Sequence, residues 1–182
     1  MNYVKAALVI VALSASQVSV AATQGTPGPT STGTVTINAS ITPEVNITNL
    51  NDFTFTATEL RTALNTGADG TQFDGVCVWS NNPDRSYFIT ATGNGASNAF
   101  RLSDGIRTLA YTVQWADNTA GVNMTTLTSG VKSSAFSSPA GTPDCGGSPR
   151  SSLRITIANA AIASMEATTT YTGVLTLLVS PN

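Results

Sequence analysis

Histidine is absent from the chain. Without it there is no Ser–His or Cys–His unit to activate a nucleophile, and no imidazole to ligate a metal. Charge is scarce as well, with Asp, Glu, Lys and Arg making up 10% of the residues. Setting Lys5 aside with the leader discussed below leaves seven basic against ten acidic side chains, and the basic ones form no cluster. That excludes the electrostatic footprint of a nucleic-acid binder or of a protein held on an anionic membrane. Long apolar runs are missing too: the longest, Ala6–Leu13, is too short to cross a bilayer, so no membrane span is expected in the mature chain. Asp69 and Asp74, or Asp144 beside Cys145, are the nearest approach to a carboxylate pair, but they stand among turn residues where Asp is expected anyway. The acidic residues of 65–74 match no EF-hand spacing. The expectation is a protein with no catalytic residues, no cofactor and no metal.

Cysteine is limited to Cys77 and Cys145. The N-terminus gives their compartment. Lys5, the apolar core Ala6–Leu13 and the small residues Val20-Ala21-Ala22 read as a secretory signal over 1–22. In an oxidising compartment two cysteines allow one intramolecular bridge; free thiols and bridges to another molecule are the alternatives. Trp79, Trp115, Tyr87 and Tyr111 fall at strand positions, where a core role competes with a sugar-binding surface. Asn38-Ala39-Ser40 and Asn46-Ile47-Thr48 are glycosylation-like triplets of a kind that arises readily in an Asn/Thr-rich chain.

What is plentiful is Thr, Ser and Val in alternation. After a Pro/Gly/Thr-rich stretch, Thr23–Thr32, comes Gly33-Thr-Val-Thr-Ile-Asn-Ala-Ser-Ile41. Val35, Ile37, Ala39 and Ile41 share one face of an extended segment, with polar residues on the other. Pro43 then interrupts, since proline cannot donate to a ladder. The remainder, 43–182, reads as one domain behind a flexible leader and strand, 23–42. Val45 with Ile47, and Phe53 with Phe55, continue the period of two, and Thr58–Leu64 suits a short helix with Glu59 in its first turn. The stretch 76–92 is a hairpin around Asn81-Asn82-Pro83-Asp84. Phe100–Leu102, Leu109–Trp115, Met124–Leu127, Leu153–Ile157 and Tyr171–Val179 complete the strands, with Leu109–Trp115 the clearest interior one. The long Ser/Gly/Pro-rich connection 133–152 needs pinning, which a bridge from Cys145 to Cys77 supplies. Short strands between turn signals predict a β-sandwich.

The order of these elements resembles the spore-coat-protein-U-like pilin subunits of the archaic chaperone–usher pathway. The features that carry the likeness begin with the Gly33–Ile41 strand and the Val45-Asn46-Ile47 segment with Phe53 beyond it. They continue with Cys77 opening a hairpin that holds Tyr87, then Arg101-Leu102-Ser103, Leu109-Ala110-Tyr111, and the terminal Tyr171-Thr172-Gly173-Val174-Leu175-Thr176-Leu177. One departure stands out. Such subunits usually carry a cysteine early in the first core strand, where this chain has Glu44 and Val45.

The resemblance implies an all-β, incomplete immunoglobulin-like sandwich, completed by a donor strand from a neighbouring subunit. Val35, Ile37, Ala39 and Ile41 would be the groove-filling residues. It also implies export through the periplasm to a cell-surface pilus serving adhesion or biofilm formation. The partners would be a periplasmic pilus chaperone, an outer-membrane usher, and identical or related subunits in a head-to-tail polymer. Pattern alone leaves a second reading, in which 33–41 pairs within its own sheet and the protein is a self-complete secreted sandwich, such as a carbohydrate-binding surface protein.

Overall fold

The structure, a computed structural model, describes residues 22–181. The signal segment expected over 1–22 therefore lies, but for Ala22, outside the described residues. The chain divides into a leader that runs through Ile41 and a compact unit from Thr42 onward.

In the leader, Thr23 and Thr34 form an isolated antiparallel bridge, with main-chain bonds of 3.0 and 3.1 Å in the two directions. The intervening residues, rich in Pro and Gly, close a loop rather than a strand. The segment 35–41 belongs to no sheet.

The compact unit is all-β with little helix. Its strands are β1 (Val45–Thr48), β2 (Gly70–Ser80), β3 (Ser86–Gly93), β4 (Arg101–Ser103), β5 (Thr108–Ala110), β6 (Thr112–Ala116), β7 (Thr125–Thr126), β8 (Phe136–Ser137), β9 (Ser151–Ile157) and β10 (Leu175–Pro181). Two helices, α1 (Ala57–Thr66) and α2 (Asn159–Ile162), follow β1 and β9. The strands form one sheet ordered β1-β2-β9-β6-β7, a second ordered β10-β3-β8, and the small pair β4-β5. Every pairing between these strands is antiparallel.

A single core joins the two larger sheets. Val76 and Val78 of β2, Val113 and Trp115 of β6, and Leu153, Ile155 and Ile157 of β9 meet Tyr87, Ile89 and Ala91 of β3. Trp115 donates its indole N–H to the Tyr87 hydroxyl at 3.0 Å, and that hydroxyl lies 3.2 Å from Ser151 Oγ, so the polar atoms of this buried trio find partners inside. Burial pushes the Tyr87 phenol up to about 12. On the other face of β2, Cys77 and Trp79 are covered by the 140–145 segment, and Cys77 is joined to Cys145 in a disulfide across 68 residues. The long connection is thus pinned where the sequence places its cysteine.

Several expectations are corrected in detail. Leu109–Trp115 is not one strand but two: β5 pairs with β4, β6 pairs with β9, and between them the Tyr111 N–H bonds Phe100 O. The alternation survives this change of sheet because Leu109, Tyr111, Val113 and Trp115 all stay buried. Phe53 and Phe55 pack against the core, but their backbone belongs to no strand. The helix is longer than Thr58–Leu64. Thr56 caps it reciprocally with Glu59, and Gly67 ends it in the left-handed region at φ 71°. The aromatic surface does not exist as such: Tyr87, Trp115 and Tyr111 are buried, and Trp79 packs over the disulfide. Asp69 and Asp74 do not form a pair. Asp69 accepts from Asn159 N, and Asp74 accepts from the main-chain and side-chain nitrogens of Asn51.

Candidate functional site: an open apolar cleft

β1 ends one sheet and β10 ends the other, so each has an edge without a strand beside it. Val45 and Ile47 stand opposite Ser80 and Val78 of β2 and face the core. Leu175, Leu177 and Val179 stand opposite Gly93, Ala91 and Ile89 of β3 and face it too. All five are only half-buried. In a closed sandwich such positions would be covered by the next strand, and here they are not.

Beyond the end of β1, beside the start of β10, lies a cleft of about 1270 Å³. One wall is the irregular segment Leu50–Phe55 with Leu60 and Leu64 of α1; the other is Thr168–Leu175 continuing into Leu177. Leu102, Tyr111, Leu153, Ile155, Ile157 and Ile162 form its floor. The volume exceeds the roughly 300–1,000 Å³ of small-molecule pockets, and the lining is mainly apolar, with Asn51, Asp52, Arg61, Glu166 and threonines of 168–172 around it. This is a trough shaped for an extended apolar object.

The second wall is built as a strand edge. Thr172 exchanges main-chain bonds with Ser103, at 2.8 and 2.9 Å, and Val174 bonds Asn94 through both its N–H and its carbonyl, at 3.0 and 3.1 Å. In extended backbone the polar groups of successive residues point to opposite sides. With 172 and 174 satisfied on the Ser103–Asn94 side, the N–H and carbonyl groups of Tyr171, Gly173, Leu175 and Leu177 point toward the cleft. Gly173 is required here by close approach: a Cβ would sit 2.7 Å from Arg101 O and 2.9 Å from Leu102 Cδ2. The wall therefore offers both halves of strand recognition, a row of main-chain partners and an apolar floor beside it.

The sequence-predicted donor residues lie in the leader. Val35, Ile37 and Ile41 are 76%, 88% and 82% exposed, and Ala39 is exposed as well. An isolated large aliphatic on a surface is unremarkable, but three at odd-numbered positions of one seven-residue stretch are not. Val35–Ile41 and Tyr171–Leu177 are also equal in length. The predicted cysteines are brought together, away from the cleft lining. What pattern reasoning missed is that α1, α2 and the 165–170 segment help to form the trough. The signal present for α1 was Leu60 with Leu64, which line it. Among the described residues no group of His, Cys, Asp or Glu gathers to hold a metal, and no helix is long and apolar enough to cross a membrane.

No family model matches the chain, and no curated protein matches it. Among solved structures it is similar, at 17% identity and a TM-score of 0.44, to a chain of the structure described as "Chaperone-tip adhesin complex is vital for synergistic activation of CFA/I fimbriae biogenesis". The match covers 63% of this chain and 35% of that one, so this chain corresponds to about a third of that neighbour's length.

Proposed function

We propose that the protein is a structural subunit of a chaperone–usher pilus, polymerised by donor-strand exchange, and that its role is non-catalytic. The observation that carries this reading is the pairing of two unsatisfied features in one chain: a cleft with a free strand edge, and a segment of matching length whose alternate apolar residues are exposed. In this reading Val35, Ile37, Ala39 and Ile41 of one subunit fill the cleft of the next, and their main chain pairs with Tyr171–Leu177. Burial of three large aliphatics at about 1.5–3 kcal/mol each favours the exchange, and the main-chain bonds fix its direction. Because each subunit gives its strand to one neighbour and receives from another, the contact is head-to-tail and generates an open fibre. Before assembly the same cleft needs a temporary occupant, which is the part a periplasmic chaperone plays; an outer-membrane usher then passes the subunit to the growing pilus at the cell surface.

The test uses the mature chain, residues 23–182, and a labelled peptide with the sequence of residues 33–42. Saturable uptake that survives gel filtration in mild denaturant is expected, with a scrambled peptide taken up far less. Failure of the native peptide to bind, with the protein folded, would remove the basis of the proposal.

A further inference from the structure

The strand that walls the cleft changes partner partway along. At Thr172 it bridges Ser103 of β4, and from Leu175 it pairs with β3, starting opposite Gly93. Val174 stands at the changeover, where β3 has already ended. Past Gly93 the chain leaves the sheet. Gly95 N donates to Ala99 O at 3.2 Å, Ser97 and Asn98 take left-handed φ values of 56° and 62°, and Ser129 Oγ donates to Asn98 O. The departure is tight: a Cβ on Gly93 would run into Ala99 O, and one on Gly95 would sit 2.7 Å from it.

A bonded pair in an antiparallel ladder needs an N–H and a carbonyl from each residue. Val174 supplies both, and Asn94 supplies its N–H, which donates to Val174 O at 3.1 Å. The acceptor for Val174 N is not the Asn94 main-chain carbonyl but Asn94 Oδ1, at 3.0 Å. An amide side chain carries a carbonyl of the same kind as the backbone. The Asn94 side chain thus makes the last rung of the ladder after its own main chain has turned away.

The consequence falls on the opposite edge of the strand. Bonded and non-bonded pairs alternate along an antiparallel ladder. With Val174 bonded, the register puts Thr176 and Leu178 in bonded pairs with Thr92 and Thr90, in step with Thr172, which is bonded to Ser103. One parity therefore holds across the change of partner, and the polar groups of Tyr171, Gly173, Leu175 and Leu177 all stay on the free edge. Without the Asn94 rung, the peptide planes between Thr172 and Thr176 would be tied only at their two ends, on two different strands. Val174 lines the cleft and Asn94 does not, so any effect of Asn94 on an occupant passes through Val174.

We infer that Asn94 is a positioning residue of the cleft wall: its side-chain carbonyl fixes which main-chain groups face the occupant, and so the register in which an extended segment is read. The identity of that occupant rests on the donor-strand reading above.

The experiment follows hydrogen exchange at single amides of the mature chain in its monomer fraction, with and without the 33–42 peptide. In wild type, Thr172, Val174 and Thr176 should exchange slowly and Gly173 and Leu175 quickly, the last two becoming slow once the peptide binds. Asn94 is exposed, so Asn94→Ala should fold normally. It should speed exchange at Val174 by about three- to tenfold and weaken peptide uptake by a similar factor. Thr176 and Leu178 should stay as slow as in wild type, which a general loosening of the sandwich would not allow. Asn94→Asp keeps Oδ1 and should restore both the Val174 amide and the uptake. Wild-type behaviour in Asn94→Ala, equal loosening at Val174 and Thr176, or failure of Asn94→Asp to rescue would each overturn the inference. A chain with the expected amide pattern that took up no peptide would instead overturn the donor-strand reading and leave the hold of Asn94 on the wall in place.

Discussion

Ile37 is the most informative single position, because the donor-strand reading assigns it no role in the free subunit and a central one in the polymer. Its side chain is 88% exposed. Substitution there should change the folding stability of the subunit by no more than about 0.5 kcal/mol, the usual scale for surface positions. Seated in a neighbour's cleft, the same side chain would be buried against Leu and Ile residues, which is worth about 1.5–3 kcal/mol. Ile37→Ala, which removes most of that, should weaken subunit–subunit exchange by about 2 kcal/mol, or roughly thirty-fold. Ile37→Asp adds the cost of an unpaired carboxylate in an apolar trough and should abolish assembly. Thr36→Asp puts the same charge one residue away on the opposite face of the strand, and should be tolerated. The assay compares polymer ladders on unheated gels with the urea midpoint of the isolated subunit. If Ile37→Asp polymerised at the wild-type rate, or if Thr36→Asp blocked assembly equally, the register assigned to 35–41 would be wrong.

The Tyr87 phenol, raised by burial to about 12 against an ordinary value near 10, gives a pH signature. A raised folded-state value means the stabilisation is complete below pH 10 and is lost as the pH climbs toward 12; about 3 kcal/mol should disappear across that window. Urea titrations in this range should show the loss in wild type and not in Tyr87→Phe, which should itself be less stable by about 1–3 kcal/mol for the unpaired Trp115 N–H and Ser151 hydroxyl. Replacing both Cys77 and Cys145 with Ala should cost about 4 kcal/mol on the chain-entropy estimate for a loop of 68 residues, read from the denaturant midpoint. Gly173→Ala forces a Cβ to within 2.7 Å of Arg101 O. It should cost about 1–3 kcal/mol of subunit stability and displace the cleft wall, so that uptake of the 33–42 peptide also falls.

Facing was legible in the sequence, and sheet membership was not. The alternation through Leu109, Tyr111, Val113 and Trp115 reports correctly that all four point inward, but it is blind to the change of partner at Tyr111, since two sheets around one core present the same inward side. The disulfide followed from compartment and count. The hairpin turn was read from Asn81-Asn82-Pro83-Asp84, yet the bonds from Asn81 to Thr42 and Glu44 span some 40 positions, and no local pattern encodes them. Phe53 and Phe55 kept their period of two but found no strand to pair with. Both pack against the core all the same, since period-two facing depends on the side chains and not on a ladder partner.

The degree to which the packing is finished differs across the fold. A generally loose fold would leave half-buried apolar groups around its whole periphery. Here the second half of β2 is sealed on both faces, with Val76 and Val78 at 0% exposure on one and Cys77 at 0% on the other beneath the bridged 140–145 segment. The half-buried residues of the core include Val45, Ile47, Phe53, Phe55 and Leu60 on one side, Tyr171, Leu175, Leu177 and Val179 on the other, and Phe100, Leu102, Ala161 and Met165. A disulfide and a long loop thus close the sandwich away from the cleft lining, while the cleft between Leu50–Phe55 and Thr168–Leu175 stays open. On the donor-strand proposal, that opening beside a free main-chain edge is the place that a strand from another subunit would take.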